Sequence, residues 1–233
     1  MGTAVAEVAG ERGHEIVAKF NSRHPLPEED REALRGAEVV IDFSLPALAW
    51  SHIERYCRWR VSAVVGTTGW YDRLEQVRKR VSECDASLLY APNFSLGVAL
   101  LVRSLKAVMP LLEQLPEYDA YVHEAHHVKK LDSPSGTALL LGNVLLDGLS
   151  RKTRIESEAQ HGRIEPEALH VSSTRVGSVV GRHTVGLDSP FDSIELIHNA
   201  KNRKGFAFGA VKAGEWMKGR RGLFTLENVL EGG

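Results

Sequence analysis

Cys57 and Cys84 are the only cysteines in 233 residues, too few for a disulfide framework, so the fold must be carried by apolar packing. Charge of one sign is lacking as well. Against 29 Lys and Arg stand 30 Asp and Glu, a formal net charge of -1, which leaves no basic surplus for wrapping a nucleic acid. Apolar runs are short: residues 87–91 and 138–141 fall far below the roughly 20 residues that a membrane-spanning helix needs. The start, Met1 to Glu7, lacks the basic opening and apolar run of a secretion signal, and the expected home is a reducing cytoplasm. Also absent are a Cys-x-x-Cys pair, a Gly-x-Ser-x-Gly elbow and a Gly-x-x-x-x-Gly-Lys-Ser/Thr phosphate loop. What remains, 43% hydrophobic and 25% charged, is the composition of an ordinary globular protein of one large domain or two modest ones.

Apolar spacing organises that material. Residues 2–12 read as a helix with Val5, Val8 and Ala9 on one face, and Gly13 ends it. Residues 15–20 read as a strand, followed by the polar turn 21–25. Residues 39–43 form a second apolar strand, and Ser44 and Pro46 supply an N-cap and a helix-starting proline for a segment through Arg58. The unit repeats with strand 61–65, loop 66–69 and a helix carrying Tyr71, Leu74, Val77 and Val81; strand 87–90 then runs into Ala91-Pro92-Asn93-Phe94. Short buried strands alternating with amphipathic helices predict an α/β fold with a parallel, doubly wound sheet. Its ligand cleft belongs beyond the carboxyl ends of the strands, where the loops at 42–44, 66–68 and 91–94 fall.

After Leu96 the pattern changes. A long helix leads to a strand at 118–122, a His- and Lys-rich loop and a helix over 137–149. Residues 169–174, 178–187 and 192–199 read as antiparallel strands, and 209–217 as a last helix. The prediction is a second α+β domain with a mixed or antiparallel sheet.

The densest polar cluster is residues 124–138, E-A-H-H-V-K-K-L-D-S-P-S-G-T-A. In extended chain, neighbouring side chains point to opposite faces, so His126 and His127 divide their roles: one exchanges protons, the other positions. Ser135-Gly136-Thr137 opens a helix whose free N–H groups attract an anion, and a nearby Lys adds a full charge. A carboxylate or phosphate is the expected guest. The same stretch contains His123-Glu124-Ala125-His126-His127, the H-E-x-x-H pattern of zinc metallopeptidases. That motif needs a helix, and here the chain alternates like a strand, which spreads His123 and His127 by roughly 13 Å, too far to share one zinc. No metal is expected.

Residues 124–138 closely resemble the signature of the dihydrodipicolinate reductase family of bacterial lysine and diaminopimelate synthesis. The resemblance continues, in order, through 40–44, 66–69, 91–95, 181–184 and 206–210. It implies a dinucleotide-binding domain at 1–95 plus 204–233 and, at 96–203, a domain that binds substrate and builds a homotetramer. It implies NADPH or NADH as cofactor and reduction of 4-hydroxy-tetrahydrodipicolinate, a dicarboxylate, with loss of water. On the family pattern His126 matches the acid/base, Lys130 the proton donor and His127 a substrate-binding residue. Gly136 and Thr137, with the Ser135 helix start, match the substrate carboxylate site. Phe43, Ser44, Gly66, Thr67, Thr68, Ala91, Pro92, Asn93 and Phe94 match cofactor contacts.

Two departures follow. The family opens with a strand and a Gly-x-x-Gly-x-Met-Gly loop, and Met1-Gly2 resembles the end of that loop, so the sheet is expected to lack its first strand and only Gly2 carries over as a cofactor contact. An active reductase and a truncated, catalytically crippled member that binds ligand or oligomerises both stay open on this ground, with the metallopeptidase a distant third. At the next turn, Asn21-Ser22-Arg23 replaces the carboxylate that would hold the ribose of NAD. Arg23 suits a 2′-phosphate, and NADPH is the expected preference.

Overall fold

The structure, a computed structural model, describes residues 1–231. In chain order its elements are α1 (Gly2–Glu11), β1 (Val39–Asp42), α2 (Pro46–Trp59), β2 (Ser62–Val65), α3 (Leu74–Glu83), β3 (Ser87–Tyr90), α4 (Leu96–Glu113), β4 (Asp119–His126), α5 (Gly136–Gly148), β5 (Arg154–Glu156), β6 (Ala168–Arg175), β7 (Arg182–Asp188), β8 (Ser193–Asn199), α6 (Lys204–Trp216), β9 (Gly222–Thr225) and α7 (Leu226–Leu230). The chain separates into two compact units, Met1–Ser95 with the residues from Arg203 on, and Leu96–Asn202.

In the first unit four strands pair in parallel in the order β1-β2-β3-β9. Register aligns Asp42, Val65, Tyr90 and Thr225 across the sheet, so the loops that follow β1, β2 and β3 leave from one edge. Ile53, Ala63, Val77 and Leu88 fill the core between this sheet and its helices. The buried face of α1, Val5, Val8 and Ala9, packs on Ala207 and Val211 of α6. Residues 15–20, read above as a strand, form none. The far side of β1 carries no neighbour among the described residues, and without one a segment keeps its N–H and C=O groups in water; Ile16 and Phe20 are accordingly exposed. Ser44 is not the N-cap of α2. Leu45 holds that position and Pro46 the first turn, while the Ser44 N–H donates to Asp42 Oδ1 at 2.7 Å.

In the second unit five strands run in the order β5-β6-β4-β7-β8. The sheet is mixed. β4 pairs in parallel with β6 and antiparallel with β7, and β8 closes as a hairpin on β7. The wholly antiparallel pattern expected from 169 onward is therefore wrong for β6. Helix α5 carries the chain back between β4 and the β5-β6 pair, and such a crossover makes the joined strands parallel. Residues 178–181 lie outside any strand, and β7 starts at Arg182. Strict alternation along β4 buries Ala120, Val122, Glu124 and His126. Val122 packs beneath α4 and α5 with Leu105, Leu141, Leu145, Leu169 and Val185. Each fully buried leucine there contributes roughly 1.5–3 kcal/mol. On the opposite face Gly186 lies under Tyr121, where a Cβ would come within 2.0 Å of the ring. No helix among the described residues is long and apolar enough to cross a membrane.

Candidate active site

The polar cluster of the second unit grows out of strand register. Glu124 and His126 share the buried face at the end of β4. Pairing sets Glu124 opposite His183 of β7, His183 opposite His198 of β8, and His126 opposite Arg175 of β6. Glu124 is 0% exposed, yet its carboxylate is fully engaged. Arg175 donates a fork to it, Nη1 to Oε2 at 3.0 Å and Nη2 to Oε1 at 2.7 Å. The Ser135 N–H donates to Oε1 at 3.1 Å, and His126 Nδ1 bonds Oε2. Burial alone would raise this carboxyl; the hydrogen bonds from Arg175 and His126 outweigh it and hold Glu124 down at about 2.

A group that is ionised at neutral pH can only accept. His126 Nδ1 therefore carries the proton of that bond, and Nε2 is the nitrogen left to exchange one. Nε2 lies against Gly181, where a Cβ would sit 2.9 Å away. The His183 ring stands edge-on to His126 with centroids 5.2 Å apart, and its Nε2 is 3.2 Å from Ser135 Oγ. Burial, and then the facing His126, push His183 down to about 4, so it is neutral at pH 7.

Beyond the strand, the loop is tied through Asp132. Lys130 Nζ bonds its two carboxylate oxygens at 2.8 and 3.0 Å, and the Arg175 guanidinium donates to its carbonyl at 2.6 Å. The Lys130 hydrogen bond holds the Asp132 carboxyl below its usual range. His127 is half-buried, and its Nδ1 has no hydrogen-bond partner among the described residues. Ser135 is the N-cap of α5, its hydroxyl accepting from the Ala138 N–H at 3.2 Å; Gly136 is exposed and Thr137 half-buried in the first turn. Thus one end of the sheet gathers His126 and Ser135 around Glu124, with the Lys130 loop fastened to the same Arg175.

The loops of the first unit are organised by another buried carboxylate. Asp42, at the end of β1, accepts from His52 Nδ1 and the Tyr56 hydroxyl, both at 2.8 Å, and from the Ser44 N–H. Burial would raise Asp42, and these bonds more than offset it, leaving it below the usual carboxylate range. Thr67 Oγ1 lies 3.4 Å from both Asp42 Oδ1 and Ser44 Oγ, and Trp70 Nε1 fixes the Thr67 carbonyl at 2.8 Å. Gly66 is required by contact. A Cβ there would lie 2.1 Å from the Phe43 ring, which meets Phe94 edge-on at 5.8 Å. Asn93 Oδ1 accepts from the Ser95 N–H at 2.8 Å, Ala91 is buried, and Thr68 and Pro92 are exposed. Asn21 Oδ1 accepts from the N–H groups of Arg23 and His24 at 2.9 and 3.1 Å, closing a tight turn that leaves Ser22 and Arg23 in solvent. Gly2 opens α1 and is exposed.

Sequence reasoning quoted Glu124 and His183 without giving them a role and did not single out Arg175, Gly181 as a contact, or the partners of Asp42. Arg175 is 51 positions from Glu124, and no local spacing announces such a pair. The only signal was the alternation that puts Glu124 and His126 on one face. The H-E-x-x-H reading fails on the same alternation. His123 and Glu124 sit on strand β4 with opposite faces, and His123 Nε2 lies 3.0 Å from Thr174 Oγ1. No group of three or more His, Cys, Asp or Glu side chains that could hold a metal ion exists among the described residues.

Comparison with known proteins decides the family. Residues 1–94 match the model described as Dihydrodipicolinate reductase, N-terminus, and residues 97–230 the model of its C-terminus. The chain belongs to the dihydrodipicolinate reductase family. A member from Christiangramia forsetii, the 4-hydroxy-tetrahydrodipicolinate reductase, is 34% identical over 99% of this chain and 93% of its own. The protein of the same name from Laribacter hongkongensis is 36% identical over 85% of this chain and 74% of its own. In fold the chain is similar to the dipicolinate-bound dihydrodipicolinate reductase from Paenisporosarcina sp. TG-14, with a TM-score of 0.76 at 19% identity, covering 97% of this chain and 94% of that one. The parallel sheet and the mixed sheet are thus the family's α/β pair.

Proposed function

We propose that this reductase-family chain catalyses the NAD(P)H-dependent reduction of 4-hydroxy-tetrahydrodipicolinate to tetrahydrodipicolinate, with loss of water, in lysine and diaminopimelate biosynthesis. The observation that carries the reading is the ionised Glu124 bonded to His126 Nδ1 next to the Ser135-capped start of α5. It combines a proton-exchanging imidazole with the first turn of α5, whose helix dipole suits a carboxylate.

The first unit has features that fit a dinucleotide. Its strand-end loops expose backbone, Phe43 and Phe94 supply an apolar wall, and the α1 N-terminus offers unpaired N–H groups to a pyrophosphate. In this reading Gly2 holds the pyrophosphate end, Asn21, Ser22 and Arg23 the ribose end, and Phe43, Ser44, Gly66, Thr67, Thr68 and Ala91, Pro92, Asn93, Phe94 the nicotinamide end. The nicotinamide group, when bound, supplies the hydride, and the protein supplies position, charge and the proton.

Within the second unit, Gly136 and Thr137 hold one substrate carboxylate at the first turn of α5, with the Lys130 ammonium adding charge. His127, which follows His126 on the opposite face of the chain, binds the other side of the substrate. His126 and Lys130 deliver the proton to the ring atom beside the reduced one. The second unit is also the assembly domain: Phe191, Ile194 and Ile197 are exposed hydrophobics, 85%, 48% and 46%, around the β7-β8 hairpin, and a homotetramer would cover them. Free Cys57 and Cys84 accord with a cytoplasmic setting.

The test is NADPH oxidation by the purified chain, with substrate made in place from pyruvate and aspartate semialdehyde. Loss of absorbance that requires both precursors is the expected result, faster with NADPH than with NADH. Absorbance that holds steady with substrate present counts against the reading, and equal efficiency with NADH defeats the preference alone.

A further inference from the structure

We infer that Glu124, braced by Arg175, is a positioning residue that sets the tautomer and orientation of the His126 imidazole; the inference rests on the reduction proposed above. Three observations carry it. Glu124 is completely buried, and a lone carboxylate in that position is strongly destabilising unless its lone pairs are used. They are used: two bonds come from Arg175, one from the Ser135 N–H and one from His126 Nδ1. A tie between β4, β6 and α5 would need only the first three. The fourth reaches the one imidazole that ends β4 on its buried face.

The electrostatics point the same way. Arg175, on the strand beside His126, and Lys130, in the following loop, are cations already paired, with Glu124 and Asp132. His183, on the strand at the other side, is kept neutral by burial and adds no repulsion. Glu124 is the one anion bonded to the ring. With it ionised, His126 Nδ1 carries the proton of that bond and Nε2, beside Gly181, is the nitrogen left to exchange one. A neutral amide at 124 would present either oxygen or NH2 to Nδ1, so the ring could settle in the wrong tautomer. Second partners of this kind commonly change activity by 10- to 100-fold.

The experiment is a double-mutant cycle. Glu124→Gln, Arg175→Lys and His126→Gln are assayed singly, and the first two also in the His126→Gln background, with kcat, substrate KM, the NADPH dissociation constant and thermal unfolding recorded for each. Glu124→Gln is expected to lower kcat about 10- to 100-fold and to leave NADPH binding within about 3-fold. Arg175→Lys keeps the charge but loses the fork, and is expected to lower kcat about 3- to 10-fold, which keeps the test alive if Glu124→Gln does not fold. Once the imidazole is gone, both changes should alter kcat by less than about 3-fold. Equal losses with and without the imidazole would mean that Glu124 only holds the strands together, and would overturn the inference, as would an unchanged kcat in both single variants. Wild-type protein with no turnover takes down the reaction and this inference together; active wild-type protein with unaffected variants takes down the inference alone.

Discussion

Each unit buries one carboxylate at a strand end and bonds it to a histidine Nδ1, Asp42 to His52 and Glu124 to His126. The surroundings differ. Asp42 has no guanidinium; its partners are a phenol, a backbone N–H and a hydroxyl, and they lead into the loops carrying Ser44 and Thr67. Glu124 is paired with Arg175, and its partners lead to the helix start at Ser135 and to the loop of Lys130. The same local pairing thus does two jobs. In the proposed reaction one carboxylate shapes the loops offered to a nucleotide, and the other collects charge where a proton and an anionic substrate would be handled.

That contrast can be broken experimentally, and the largest effect is expected at His126. His126→Gln should cut kcat by about 10²- to 10⁴-fold while NADPH affinity, measured by fluorescence quenching, stays within about 3-fold. Turnover close to that of wild type would remove His126 from the proton path. In the first unit the expected change is in binding. Arg23→Ala should raise KM for NADPH about 3- to 10-fold, the scale of one solvent-exposed charged contact, and leave KM for NADH unaltered; parallel changes for both would show that Arg23 ignores the 2′-phosphate.

Smaller effects fall on stability. Asp42→Asn leaves His52 and Tyr56 with a weaker acceptor and should cost about 1–3 kcal/mol in denaturant unfolding. The acid response separates the two carboxylates further. Glu124 lies at about 2 when folded, against 4.5 as its ordinary value. Its folded pKa is depressed, so its stabilisation is complete above about pH 4.5 and is lost as pH falls toward 2. Glu124→Gln should therefore flatten the acid limb of the stability curve over that window, and an unchanged limb would contradict the bonding described for Glu124.

Legibility followed the range of the interactions. The strands over 39–42 and 87–90 and the helix capped by Ser135 were readable because their causes are local: four-residue apolar runs, a turn, a hydroxyl one residue before a helix. Residues 15–20 misled, since apolar alternation signals a strand only where another strand is there to pair with it. Ser44 misled for a related reason, its backbone being taken by Asp42 two residues earlier. Strands β5 and β9, three and four residues long, have no pattern of their own and exist because β6 and β3 offer an edge. The His126 cluster was legible as a string of residue types, but its organisation was not. Arg175 and His183 arrive from strands about 50 and 60 positions along the chain, and only the register of β4 with β6 and β7 brings them to Glu124.

The division of labour between the units is tested most directly by calorimetric titration of two ligands, dipicolinate and NADPH, into wild-type protein and Lys130→Ala. Dipicolinate affinity should fall about 10-fold or more on loss of the ammonium, with NADPH affinity unchanged. If dipicolinate binds both proteins equally, or if both ligands weaken alike, the loop of residues 126–137 is not where the dicarboxylate is held.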